Sequence, residues 1–409
     1  MSPIIFSAVR AAAVLAAVAL AACQDPVAVS PRPSPSTDTP PPATPAEATP
    51  AWNGVARDLV AKHSTSVPAS IRIFALLSVA QYNAVVAVER ASAAPQGGGA
   101  RPRLSVRGAV AGASEAVLAY AYPQEADFLA ALAAQQRTAA GPARERPEDF
   151  AAGEDVGRTV AAPLIARAQA DRFSAPFAGS VPLCPGCWRA DPTPPAFATL
   201  GQAKPYFLTS AAQFRPAPPP EFGSPAFLAA LAEVRRIADT RSATQDSVAK
   251  FWALPAGTIG AQGHFNRVAA ELIARHPRSE REAARTLALL NMAAFDAIVA
   301  SHEAKYHYWL IRPSQADPQI VRAIGLPSFP SYPSNHATLS GVAAAVLGAA
   351  FPAERGRLDA MAEDGAISRV YGGIHYRFDT DAGLALGRRV AAWTLAHDVA
   401  ADAAFVLQP

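Results

Sequence analysis

The segment SEREAARTLALLNMAAFDAIVASHEAKYHYW, beginning at Ser279, repeats its apolar residues at helical rather than alternating spacing. A run of that length and period can bury its apolar side only as a helix. A second run, ASIRIFALLSVAQYNAVVAVERAS from Ala69, reads as a buried helix. Further helical stretches are expected at about 107–138 and 147–172, and helices resume near Ser224. Strand-type alternation is almost absent. With 51% apolar and 17% charged residues in 409, the chain reads as an all-α, one-domain protein built from two helical halves. Beyond the N-terminal leader, no stretch reads as the roughly 20 apolar residues that span a bilayer. The formal charge of +3 is too small to argue for nucleic acid as a partner.

The leader, MSPIIFSAVRAAAVLAAVALAACQDP, has a short basic start, an apolar core and small residues before Cys23. This is the form of a secretory signal. Its Leu-Ala-Ala-Cys ending resembles the bacterial lipobox, which implies a lipoprotein signal peptide over 1–22, cleavage before Cys23 and lipidation of that thiol. Gln24 after it implies the periplasmic face of the outer membrane, with membrane contact through the lipid anchor alone. Residues 23–51 are rich in Pro, Ser, Thr and Ala and read as a disordered tether, and the all-α domain is expected over 52–409. Residues 174–225, rich in proline and aromatics, read as an irregular crossover lying over the helices. Within it, Cys184 and Cys187 form a lone C-x-x-C. That spacing also suits half a zinc site or a redox motif, but in an exported chain it reads as a small structural disulfide.

Three segments of the C-terminal third carry residues suited to one chemistry. KYHYWLIRP places Lys305 and Arg312 two helical turns apart, on one stripe and roughly 10 Å apart in rise, with Pro313 ending the helix. FPSYPSNHATLSG sets three prolines before a helix start, with Ser334 as cap and Asn335 and His336 in the first turn. SRVYGGIHYRFD supplies Ser368, Arg369, His375 and Asp379. Taken singly, each has an ordinary role: solvated cations, a surface ion pair, an i,i+4 helix pair, an N-cap. Taken together, three cations, helix-start donors and two histidines are what a tetrahedral oxyanion requires. The cations neutralise it, one histidine attacks or coordinates its central atom, and the other moves a proton.

Lys-x6-Arg-Pro, Pro-Ser-x-His and Ser-Arg-x5-His-x3-Asp, separated by 19 and 31 residues, resemble the three-part signature of the type 2 phosphatidic acid phosphatase and vanadium haloperoxidase superfamily. The flanking sequence is most similar to its soluble bacterial haloperoxidase branch. The resemblance implies a helical bundle of the vanadium haloperoxidase and acid phosphatase type. It implies that Lys305, Arg312 and Arg369 bind the oxyanion, joined by the Ser334 hydroxyl and the Asn335 backbone N–H. His375 is then the axial ligand of vanadate or a phosphorylated nucleophile, Asp379 its orienting partner, and His336 the acid/base. Phe329 matches a position where chloride-oxidising relatives carry Phe, which implies a halide pocket.

Two departures stand out. Relatives usually have Gly where this chain has Asn335, so a side chain is expected to crowd the anion. Relatives also often place an Asp after the position of Phe251–Trp252, where this chain reads ALPAG. The leading expectation is a vanadate-dependent haloperoxidase-like enzyme that oxidises halide with hydrogen peroxide. A periplasmic phosphatase hydrolysing phosphomonoesters through a phosphohistidine, without a cofactor, is the alternative. A lipoprotein that binds phosphate or vanadate without turnover is the third.

Overall fold

In the computed structural model, the helical periodicity becomes thirteen α-helices among the described residues, which are 45–93, 103–139, 145–190, 194–400 and 403–405. In order they are α1 Ala48–Lys62, α2 Val67–Ala93, α3 Val106–Ala121, α4 Ala126–Ala139, α5 Pro147–Ala170, α6 Pro225–Thr240 and α7 Ala243–Phe251. There follow α8 Gly260–Arg275, α9 Glu280–Tyr308, α10 Pro313–Ala316, α11 Asn335–Ala350, α12 Arg355–Tyr371 and α13 Arg377–Ala396. The only β-type pairing among these residues is an isolated antiparallel bridge between Cys187 and Leu310. The expected all-α class is therefore what the chain adopts. The signal peptide, Cys23 and the tether up to residue 44 lie outside the described residues.

Two long helices, α2 and α9, pack against each other at the centre. α2 also contacts α3 and α5, while α9 contacts α11 and α13, so the two expected halves meet along the α2–α9 pair. Both are long and apolar enough to cross a membrane, which corrects the expectation that no such segment follows the leader. Their apolar windows are 83% and 89% buried against other helices, the environment of a core rather than of lipid. α9 starts where the sequence placed it. The Ser279 hydroxyl accepts the Glu282 N–H, and the Glu282 carboxylate accepts the Ser279 N–H in return, satisfying two helix-end donors at once.

Two boundaries move. The stretch at 107–138 is two helices, broken at Tyr122–Pro123 because Pro123 cannot supply the N–H that would continue α3. The expected tether reaches residue 51, yet α1 begins at Ala48. The Glu280 carboxylate accepts the N–H groups of Glu47, Ala48 and Thr49, so a distant acid caps this helix start.

The irregular segment between α5 and α6 straps the outer side of α9. The buried Asp296 carboxylate accepts three successive N–H groups from Tyr206, Phe207 and Leu208. Tyr308 and Tyr332 donate their hydroxyls to the Pro216 and Ala217 carbonyls at 2.7 Å. Cys184 and Cys187 are joined as a disulfide, and the turn they close pairs with 309–311 through Trp188 N to Trp309 O and Ile311 N to Gly186 O.

α13 lies unusually close to α11. A Cβ on Gly387 would meet the Thr338 carbonyl oxygen at 2.0 Å, and one on Gly383 the Ser334 carbonyl oxygen at 2.5 Å. Only glycine permits that approach. It brings the first turn of α13 against the start of α11, where Ser334 N donates to Asp379 O at 2.9 Å.

Candidate active site

Lys305 lies in the last turn of α9, fully buried. The helix does not continue to Arg312. Trp309 takes a left-handed conformation, with φ 51°, and its N–H closes on the Lys305 carbonyl. Residues 309–311 then pair with the disulfide turn, and Pro313 opens α10 rather than ending α9. The expected stripe of two cations on one helix is thus corrected: strand-like pairing to the crossover turns the chain before Arg312. Both cations nevertheless reach one place from different directions.

Each has a distinct set of partners. Lys305 Nζ donates to the carbonyls of Pro330, Ser331 and Pro333, which uses all three ammonium hydrogens. It therefore holds the proline-rich approach in the shape that delivers Ser334, Asn335 and His336. Burial, and then repulsion from Arg312, push Lys305 well below the usual ammonium range, while three carbonyl acceptors retain its proton. Arg312 donates to the Phe329 and Ile374 carbonyls and, through Nη1, to His375 Nε2 at 2.9 Å. Its Nη2 is buried without a hydrogen-bond partner among the described residues. Arg369 donates hydrogen bonds to the Ser368 hydroxyl and the Ala249 carbonyl. Burial lowers Arg312 to about 10 and Arg369 to about 9. The Phe329 ring lies 5.1 Å from Lys305 Nζ and 5.2 Å from Arg312 Cζ, a cation–π contact with both.

His375 is fixed from both sides of its ring. Nδ1 donates to Asp379 Oδ2 at 2.7 Å, which leaves Nε2 as the acceptor of the Arg312 bond. Burial and three neighbouring cations hold this imidazole neutral, well below the ordinary histidine range. Asp379 is not an N-cap but the third residue of α13, where its Oδ2 also accepts the Tyr376 N–H and the Ser331 hydroxyl. Burial raises its carboxyl to about 6.

Ser334 caps α11, its hydroxyl accepting the Ala337 N–H at 3.4 Å. Asn335 is the first residue of the helix, and its Oδ1 accepts the buried Ser301 hydroxyl at 2.7 Å. That bond leaves both Nδ2 hydrogens for the cavity that Asn335 lines. His336 bonds through its ring to the Trp252 backbone carbonyl, and its Nε2 is buried without a partner. A carbonyl thus stands where the sequence lacks a carboxylate. Burial and Arg369 hold His336 neutral as well.

Phe329, Asn335, His336, Arg369 and His375 line one cavity of about 560 Å³. Lys305, Arg312, Ser334 and Asp379 stand behind its wall, buried. Sequence reasoning missed Ser331, the Trp252 carbonyl, Ser301 and His302. His302 packs its ring 5.5 Å from Phe329, and burial lowers it to about 3. Ser331 was within reach of the sequence, since it lies inside the same proline-rich motif. Ser301 and His302 lie on α9 within four residues of Lys305, and the Trp252 carbonyl comes from the end of α7; none of the three leaves a local signal of its role.

Three cations are buried here, at 0%, 0% and 2% exposure, and the one carboxylate among them, Asp379, acts on Lys305 and Arg312 but not on Arg369. An uncompensated excess of buried positive charge is expensive unless an anion completes it. The unpartnered Arg312 Nη2 supplies a donor, the proton-free His375 Nε2 a ligand atom, and the unpartnered His336 Nε2 a proton acceptor, the set that chemistry on a tetrahedral oxyanion uses. Phosphate and vanadate both fit this donor set.

Residues 285–400 match the family model of the PAP2 superfamily, a span that contains all three motifs. Comparison with curated proteins gives no match. Among solved structures, the fold is similar to that of a bacterial vanadium-dependent iodoperoxidase, at TM-score 0.73 and 24% identity over 87% of this chain and 97% of that one. It is also similar to a bacterial vanadium-dependent chloroperoxidase in its holo form, at TM-score 0.63 and 15% identity over 82% and 94% of the two chains. The apo form gives TM-score 0.63 and 16% identity over 81% and 93%. The PAP2 and vanadium haloperoxidase resemblance read in the three motifs, and the helical fold it implied, are borne out.

Proposed function

We propose that this chain is a vanadate-dependent haloperoxidase-like enzyme that oxidises halide with hydrogen peroxide. The observation that carries the reading is the excess of buried cations around a proton-free histidine nitrogen. The nearly full-length similarity to haloperoxidase structures favours that chemistry over others on the same fold.

Arg312, Arg369 and the Asn335 N–H would hold the anion's oxygens, with His375 Nε2 as its protein ligand. Lys305 acts at one remove, keeping the loop that presents these donors. When bound, vanadate supplies a Lewis-acidic centre that activates hydrogen peroxide for two-electron oxidation of halide. Asp379 keeps the His375 proton on Nδ1, so that Nε2 stays a ligand atom. His336, neutral and hydrogen-bonded to the Trp252 carbonyl, can accept a proton from an incoming peroxide and return it to a departing hydroxide. Phe329, pressed against two cations, gives the halide an apolar, positively biased approach.

The same cradle would accept a phosphoester. Attack by His375 Nε2 on phosphorus is the second reading, favoured by the lone pair that the Asp379 bond secures there. Export through the leader and anchoring at Cys23, facing the periplasm, complete the proposal. The deciding experiment adds orthovanadate to purified protein and follows peroxide-dependent oxidation of iodide and bromide beside hydrolysis of an aryl phosphate. Vanadate-dependent halide oxidation that disappears in His375→Ala is expected. Ester cleavage inhibited by vanadate, without halide oxidation, would replace this reading with the phosphatase.

A further inference from the structure

Trp252 closes α7 as its C-cap, and a carbonyl at a helix C-terminus has no N–H within the helix to accept. Leu254, at φ 41°, then turns the chain away. The His336 ring takes up that carbonyl. Its Nε2 has no hydrogen-bond partner among the described residues, so the donor is Nδ1. The bond decides which ring nitrogen carries the proton and where the Nε2 lone pair points. A backbone carbonyl is neutral, so it aims the imidazole without adding the charge of a carboxylate. The aim is then only as good as the placement of the end of α7.

The far side of the same residue shows what sets that placement. The indole Nε1, the one donor on the side chain, gives its hydrogen to Asp364 Oδ2 at 2.7 Å. Asp364 is exposed on α12, five residues before Arg369. Otherwise the indole rests on His264 and Phe265, with ring centres 5.1 and 6.0 Å away, and on α12 at Gly365, where a Cβ would stand 3.3 Å from it. Apolar contact is non-directional, whereas a hydrogen bond is directional, so the bond to Asp364 is what fixes the rotation of Trp252. Beyond it, Ala253, Leu254, Pro255 and Ala256 line the cavity beside His336.

We propose that Asp364 is a positioning residue for proton transfer: it anchors the Trp252 indole and, through the Trp252 carbonyl, aims His336 Nε2 at the oxyanion. The inference deepens the proposed function, resting on His336 as acid/base, a role that the haloperoxidase and phosphatase readings share. Asp364 does not line the cavity. The charged and titratable groups that interact with His336 are Arg369 from α12 and His375 before α13. Asp364 is not among them, so its influence runs through geometry rather than through its charge.

The test compares Asp364→Leu, which removes the acceptor, with Asp364→Asn, which removes the charge and keeps an acceptor. Both fall at an exposed position, where the fold tolerates them. The first readout needs no turnover. Protein labelled with ¹⁵N-histidine is saturated with inorganic phosphate, and the His336 Nδ1–H signal is assigned by its loss in His336→Gln. A sheltered N–H signal is expected in the parent and in Asp364→Asn, and its loss to exchange in Asp364→Leu. An unchanged signal in Asp364→Leu overturns the proposal.

Turnover is the second readout. Asp364→Leu should lower kcat at least about tenfold, with KM and calorimetric phosphate affinity within about twofold of the parent. Asp364→Asn should recover at least about half of the parent kcat. Equal losses in the two variants would make the charge responsible, and a matching loss of phosphate affinity would mean that the cradle itself had shifted; either result overturns the proposal. A parent that turns over neither halide nor phosphoester refutes the proposed function, and the histidine signal then decides on its own whether Asp364 positions His336.

Discussion

Replacing Arg369 by Met separates a cation held for a ligand from one held for the fold. A guanidinium lowered by burial from 12.5 to about 9 has its charged form disfavoured by on the order of 5 kcal/mol. No carboxylate offsets that, because its partners are the Ser368 hydroxyl and the Ala249 carbonyl. Replacing such a charge by an apolar side chain of similar length typically stabilises a protein by about 1–4 kcal/mol. A body of roughly 360 residues has an unfolding entropy of about 0.75 kcal/mol/K. Arg369→Met should therefore raise the ligand-free Tm by about 1–5 °C. Orthophosphate at a hundred times its Kd adds about 2.7 kcal/mol to the parent, or about 3–4 °C. That phosphate shift should fall below about 1 °C in the variant. Differential scanning fluorimetry, with and without phosphate, reads both quantities. A lower ligand-free Tm together with an undiminished phosphate shift would mean that Arg369 serves the fold, and the argument from buried charge would fail.

Lys305→Met should do the reverse. It strands three buried carbonyls, each costing about 1–3 kcal/mol, so Tm should drop by 4 °C or more in the same assay. Asp379→Asn should lower turnover about 10- to 100-fold and remove an acid limb. Because burial raises the Asp379 carboxyl to about 6, its ionised form, and the His375 tautomer it holds, are lost as pH falls through 6; pH–rate profiles of parent and variant test this. The same raised value means that the folded state binds this proton more tightly than the unfolded one. The carboxyl's contribution to stability is thus greatest below about 4 and declines as pH rises through 6. Asn335→Gly should weaken phosphate binding about tenfold by calorimetry, through loss of the Nδ2 donors that Ser301 orients. If that side chain instead crowds the anion, the glycine variant binds more tightly.

The helices and the three motifs were legible because each depends on local pattern: the period of α9, the cap at Ser334, the spacing from His375 to Asp379. What escaped depends on chain reversal and on partners remote in sequence. Seven residues from Lys305 to Arg312 read as two helical turns, and nothing local announces that residues 309–311 will pair with Gly186 and Trp188. Likewise, a backbone carbonyl such as that of Trp252 carries no sequence signature, so the gap left by a missing carboxylate could be seen and its replacement could not. Asn335 was noticed as a departure, but its orientation depends on Ser301, a full motif away in the chain.

α9 is tied to its surroundings at three levels: through Asn291 to Ser78 and Asn266 near its middle, through Asp296 to the crossover, and through Lys305 to the loop before α11. It behaves as a shaft that carries both the outer belt and the floor of the cradle. Loosening the belt at Asp296, roughly 13 Å of helix rise from Lys305, would free the shaft to slide or roll. The injury would then surface as weakened anion affinity, in a variant whose altered residue never comes near the ligand.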